Sequence, residues 1–116
     1  MEDVDVIYHN KFGISFRWQN PDLHADPNRI QLVFKDMGFY LKKEELVQFS
    51  GNIKAAAQQN CCNCNRSNCR SVLVKSPLLK MDFAVTRAEL EQISDLIEGT
   101  LFRINLNAYV NDICRN

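Results

Sequence analysis

A stretch of seventeen residues, Met37 to Ile53, occurs a second time 44 residues later as Met81 to Ile97. The identities include Met37/Met81, Phe39/Phe83, Glu45/Glu89, Leu46/Leu90 and Ile53/Ile97, and Leu41/Val85, Lys43/Arg87 and Phe49/Ile93 keep the character of the residue. Within each copy an alternating Met-x-Phe-x-Leu/Val run gives way at the same offset to helical spacing, a period of 2 followed by one of 3.6. Each copy therefore reads as a strand leading into a helix. Alone, such a unit cannot bury both a sheet face and a helix stripe. The two are expected to pair about a pseudo-twofold axis in one small antiparallel or mixed sheet with helices on one face, an α+β domain.

The rest of the chain is read around these units. Val4, Val6 and Tyr8 alternate with Asp5, Ile7 and His9, and Ile14, Phe16 and Trp18 alternate with Ser15, Arg17 and Gln19. With Asn10 to Gly13 between them, residues 1–19 read as a β-hairpin with one apolar face that extends or caps the sheet. Residues 20–29, with Pro21 and Pro27, read as a loop. The first ββα unit spans 30–58: a strand over Ile30–Phe34, a tight turn at Asp36-Met37-Gly38, a strand at Phe39–Leu41, and a helix from about Lys42 into Ala57. Leu46, Phe49, Ile53 and Ala56 or Ala57 form the buried face of that helix, and Gly51 weakens it by about 1 kcal/mol relative to alanine. A cysteine-rich loop occupies 59–70. The second unit, 71–98, has a β-rich run at Ser71–Lys75, a break at Pro77, a strand over Leu79–Val85 and a helix opened by the capping box Thr86-Arg-Ala-Glu89.

For 99–116 the spacing predicts a C-terminal helix bending at Gly99, carrying a stripe of Phe102, Leu106, Tyr109, Val110, Ile113 and Cys114. The rival reading is a strand, because Phe102, Ile104, Leu106, Ala108 and Val110 also alternate. Helix is preferred because the stripe continues where the alternation stops, and asparagines at 105, 107 and 111 suit a strand poorly. Any open strand edge, together with this stripe, offers a surface for homodimerisation.

At 116 residues the chain makes one domain that buries roughly two thirds of its unfolded surface without covalent staples. No signal peptide and no apolar run approaching the ~18 residues of a membrane span is visible, so cytoplasm is the expected location and no membrane partner is expected. In that compartment thiols stay reduced. The net charge of zero hides a segregation: from Leu46 to Met81 there is no acid, and Lys54, Arg66, Arg70, Lys75 and Lys80 are all basic. Four of the five cysteines lie in this positive stretch, as Cys61-Cys62-Asn-Cys64-Asn-Arg-Ser-Asn-Cys69.

Cys61-x-x-Cys64 has the spacing of a zinc half-site, since two intervening residues let both sulfurs reach one tetrahedral ion, and Cys69 is near enough to be a third ligand. The fourth would be Cys62, Cys114, His9 or His24. Against it, there is no second C-x-x-C, and adjacent cysteines seldom share one metal. Reactive or redox thiols, favoured by the positive surroundings, and a loop with no ligand stand as the other readings. An iron–sulfur cluster is not indicated by the spacing. His9 and His24 read as surface residues. Glu45 and Glu89 occupy equivalent places at helix starts, where the helix dipole favours carboxylates without catalysis. Phosphate-cradling glycine motifs are absent, which argues against a nucleotide enzyme.

The order Gly13-x-x-x-Arg17, strand Ile30–Phe34, Phe39-x-Leu41…Glu45-Leu46 and Phe83-x-Val85…Glu89-Leu90 resembles a family of small bacterial (Bacteroidetes-type) proteins of unknown function with tandem strand–helix units. In that family a paired-cysteine segment precedes the units. Here Trp18 stands just after Arg17 in place of a cysteine, and the cysteines lie between the units. The resemblance implies the fold and a small cytoplasmic bacterial protein, and brings no activity with it.

Three functions follow as expectations. The first is a non-enzymatic binding or interaction module that forms homodimers and whose cysteine-rich loop has the residues to bind zinc. The second is a zinc-stabilised nucleic-acid-binding regulator presenting Arg66, Arg70, Lys75 and Lys80 to phosphates. The third is a thiol-dependent redox enzyme using Cys61 and Cys64.

Overall fold

A computed structural model describes residues 4–19, 28–58, 72–77 and 80–114. Six strands and two helices follow in the order β1 (Val4–His9), β2 (Gly13–Trp18), β3 (Ile30–Phe34), β4 (Met37–Leu41), α1 (Lys43–Ala57), β5 (Val72–Lys75), β6 (Asp82–Val85) and α2 (Arg87–Cys114). The class is α+β, as the change of period predicts. The strands divide into two sheets rather than one: β1 to β4 form an antiparallel meander, and β5 pairs only with β6. Helix α1 packs on β5 and on α2, while α2 also crosses β1 and β2.

What joins the two sheets is a group of four aromatic rings. Phe34 of β3, Phe39 of β4, Phe49 of α1 and Phe83 of β6 all lie within ring-contact range of one another, with centroids from 5.6 Å (Phe39–Phe83) to 6.4 Å (Phe34–Phe49). Offset and edge-on packing of this kind adds about 0.5–1.5 kcal/mol per pair beyond the area buried. The aliphatic core continues from it through Ile30, Leu32, Leu41, Leu46, Ile53, Val72, Val74, Leu90, Ile93, Leu96 and Ile97.

The two repeated stretches share burial and capping although their strands sit in different sheets. Phe39 and Phe83, Leu41 and Val85, Leu46 and Leu90, Phe49 and Ile93, and Ile53 and Ile97 are all buried. Glu45 accepts the Lys42 N–H (2.8 Å) and Glu89 accepts the Thr86 N–H (3.0 Å), each carboxylate reaching back over the first helical turn. Thr86 completes its box by accepting the Glu89 N–H at 3.1 Å. Both glutamates thus have structural work at a helix start.

Three local expectations are corrected. The tight turn falls one residue earlier, at Lys35-Asp36, so Met37 and Gly38 belong to β4; Lys35 takes a left-handed φ of 53°. The apolar face of the hairpin is not the one packed on the helices. A register shift between Val6 and Tyr8 turns Ile7 inward, and on β2 the polar Ser15 is buried while Ile14, Phe16 and Trp18 are half-buried. Gly13, paired with Phe34, allows the close approach there, since a Cβ on it would sit 2.3 Å from the Val33 carbonyl oxygen. Finally, the C-terminal segment is helical, but it is the continuation of α2, which runs through Gly99 without interruption. Glycine at 99 answers a different need: a Cβ would lie 2.5 Å from the ring of Tyr8.

Candidate interaction surfaces

Helix α2 has two environments along its length. Its first half buries Leu90, Ile93, Leu96, Ile97 and Thr100, and Ile104 is its last buried residue. Beyond that point every described position of the helix is exposed. At 1.5 Å per residue, ten residues carry it roughly 15 Å further. The molecule measures 54 × 31 × 26 Å along its principal axes.

The arm is not polar. Phe102 is 63% and Tyr109 64% exposed, with Leu106, Val110 and Ile113 also in the open. Phe102, Leu106, Tyr109 and Ile113 recur at intervals of 4, 3 and 4, the spacing that keeps side chains on one seam of a coiled coil. Turning through 100° per residue, this stripe lies roughly 160° around the helix from the buried face. It therefore points away from the domain that carries it.

Where α2 is embedded, polar contacts fix it against the hairpin. The Thr100 hydroxyl donates to the Leu96 carbonyl at 2.6 Å, and Ser15 and Thr100 hydroxyl oxygens lie 2.6 Å apart, both fully buried. Nearer the surface, the Asp95 carboxylate accepts from the Tyr8 hydroxyl at 3.1 Å and from the Asn10 side-chain amide at 2.9 Å, and the same amide reaches the Gln92 carbonyl. The bond to Asp95, followed by desolvation and by the carboxylate's charge, raises the Tyr8 phenol above its ordinary value, against a smaller lowering by Arg103. The buried threonine is visible in the sequence only as a polar residue at a core spacing from Leu96 and Ile104. Nothing there marks Tyr8 as its neighbour's partner.

A groove of about 370 Å³ runs between α1 and α2, floored by Ile53, Ala57 and Leu90 and rimmed by Glu91, Asp95 and Glu98. The Ser50 hydroxyl donates to Glu98, and Lys54 stands 3.7 Å from the same carboxylate. A second, polar hollow of about 560 Å³ lies where α1 meets the β5–β6 hairpin, lined by Lys75 and Lys80 together with Gln48, Asn52 and Asp82. Asn52 donates to the Lys75 carbonyl at 3.0 Å, and Lys80 adopts a left-handed φ of 66°.

Of the residues singled out in the sequence, the structure thus brings Lys75 and Lys80 to one hollow. Cys61, Cys62, Cys64, Cys69, Arg66, Arg70 and His24 lie outside the described residues. Cys114 is exposed at the end of α2 and His9 is exposed at the end of β1. Among the described residues no group of three or more histidine, cysteine or acidic side chains could hold a metal ion, and no helix is long and apolar enough to cross a membrane. No family model matches the chain, and no curated protein or solved structure shows significant similarity to it.

Proposed function

We propose that this protein is a non-enzymatic interaction module that self-associates, with the arm of α2 as its contact surface. One observation carries this reading: an apolar stripe in coiled-coil spacing on the half of a helix that its own domain leaves uncovered. Isolated apolar side chains on a surface are ordinary, whereas a contiguous row of five on a projecting helix has a solvation cost that a partner helix removes. In this reading the cysteine-rich loop is an accessory feature, and Cys61, Cys64 and Cys69 with Cys62 or Cys114 are the ligands a zinc ion would use.

The test is molar mass against concentration, by sedimentation or light scattering. A rise above the 13.4 kDa of one chain in the micromolar range, abolished by Leu106→Glu with Tyr109→Glu, is expected. A monomer at millimolar concentration would refute self-association. Elemental analysis of protein purified without chelator tests the zinc: about one ion per chain, lost on replacing Cys61 and Cys64 by serine, is expected if the loop is a site.

Nucleic-acid binding is the second reading, favoured by the convergence of Lys75 and Lys80 on one polar hollow with neither within 4 Å of a carboxylate among the described residues. It predicts retention on RNA or DNA that falls with salt and with Lys75→Gln and Lys80→Gln. Retention that ignores both lysines would remove its support.

A further inference from the structure

We infer that two copies of this chain pair arm to arm in antiparallel orientation, so that Phe102 of each meets Ile113 of the other and Leu106 meets Tyr109. The inference rests on the self-association proposed above and adds its geometry. Two features of α2 bear on the orientation, one that permits it and one that selects it.

The first is the symmetry of the stripe. Phe102 with Ile113, and Leu106 with Tyr109, share one midpoint, between Asn107 and Ala108. An antiparallel twofold axis through that midpoint stacks each pair in a layer, the a-against-d layering of an antiparallel helix pair. The isologous contact closes on itself through the four seam residues and leaves Val110 on their flank. The overlap then runs from Leu101 to Cys114 and stops at the domain's edge. The two domains stand at opposite ends of a seam of roughly 20 Å.

The second is charge. On the side of α2 that carries the stripe, the exposed positions before the arm include the carboxylates Glu91, Asp95 and Glu98, of which Asp95 also accepts from Tyr8 and Glu98 lies beside Lys54. Parallel pairing would run these carboxylates alongside their counterparts in the other copy, where like charges repel. Antiparallel pairing sends the two acidic segments to opposite ends.

Disulfide trapping followed by mass-spectrometric identification of the linked cysteines separates the orientations while the native cysteines stay in place. Asn105 and Asp112 fall on one flank of the seam, and antiparallel pairing brings Asn105 of one copy to within roughly two residues' rise of Asp112 of the other. An equimolar mixture of Asn105→Cys and Asp112→Cys proteins is therefore expected to give the 105–112 link as its dominant product, lost when Leu106→Glu is added. Ile113→Cys is expected to give no self-link, because the two copies of residue 113 stand roughly 16 Å apart, beyond the ~7 Å between Cα atoms that a disulfide spans. A dominant 113–113 link with no 105–112 link would overturn the orientation while leaving self-association intact. Absence of any dimer in the mass measurement would overturn both. Should the cysteine variants not fold, spin labels at Arg103 provide the same decision: about 13 Å of axial offset between the two copies in the antiparallel pair and none in the parallel one.

Discussion

The two halves of α2 each carry a row of large apolar side chains and differ in what covers it. From Leu90 to Ile104 the apolar side chains repeat toward the sheet and α1 and are buried; from Phe102 to Ile113 they repeat on the opposite side and are exposed. One helix thus carries two stripes facing in opposed directions, one for its own fold and one left over. The difference teaches that apolar spacing specifies a face but not an owner for that face. A helix hydrophobic in this way belongs partly to something outside its domain.

Isoleucine occurs in both halves, and truncating it gives the sharpest contrast. Ile97→Ala leaves a cavity in the core and is expected to cost about 2–5 kcal/mol of unfolding free energy, whereas Ile113→Ala should stay within about 0.5 kcal/mol in dilute monomer. Chemical denaturation of both variants below the association range checks this, and equal losses would break the division of the helix. A smaller effect is expected inside the embedded half, at Thr100→Val. Ser15 then loses its nearer partner and keeps only the Tyr8 carbonyl at 3.3 Å, for a cost of about 1–3 kcal/mol. An unchanged melting midpoint would mean that the buried hydroxyl pair is dispensable.

The start of the helix provides the third test. Thr86→Ala removes the acceptor for the Glu89 N–H and should cost about 1 kcal/mol, measurable by the same denaturation curves; no loss would show the box to be ornamental. The smallest effect is a titration. The Tyr8 phenol is held above its ordinary 10.0 by Asp95, so folding favours its protonated form. The associated stability is present below pH 10 and is lost as the pH rises through the raised folded value. Absorbance titration of the phenolates should show the Tyr8 step moving down in Asp95→Asn; a titration unaffected by that change would remove Tyr8 from its assigned contact.

Much of this fold is legible in the sequence because its signals are local. The capping box at Thr86, the buried face Leu46-Phe49-Ile53 and the strands at Ile30–Phe34 and Val72–Lys75 each follow from a few neighbouring residues. The partition into two sheets was not legible, since nothing in a strand's alternation names the strand it pairs with. Nor was the inward face of the hairpin. One extra residue at Ile7 reverses the pattern, and the buried Ser15 answers to Thr100, 85 residues away. The arm was readable as a stripe from Phe102 to Ile113, but its projection depended on where the sheet and α1 end. Cys61 to Cys69 remain a matter for chemistry rather than for the described fold.

The continuity of α2 through Gly99 has a consequence for how the arm holds its shape. An isolated peptide of some dozen residues scarcely forms a helix in water, because nucleation is costly and each added residue returns little. The arm is spared that step: its first turn is templated by residues already fixed in the core, so it has only to propagate. The template reaches Ile104, the last buried residue of α2, and the ten residues to Cys114 propagate from it. A partner helix laid along the stripe would meet a surface anchored in the core at its base and held at its tip by propagation alone, so that the contact itself would add to the helix's hold on its last turn.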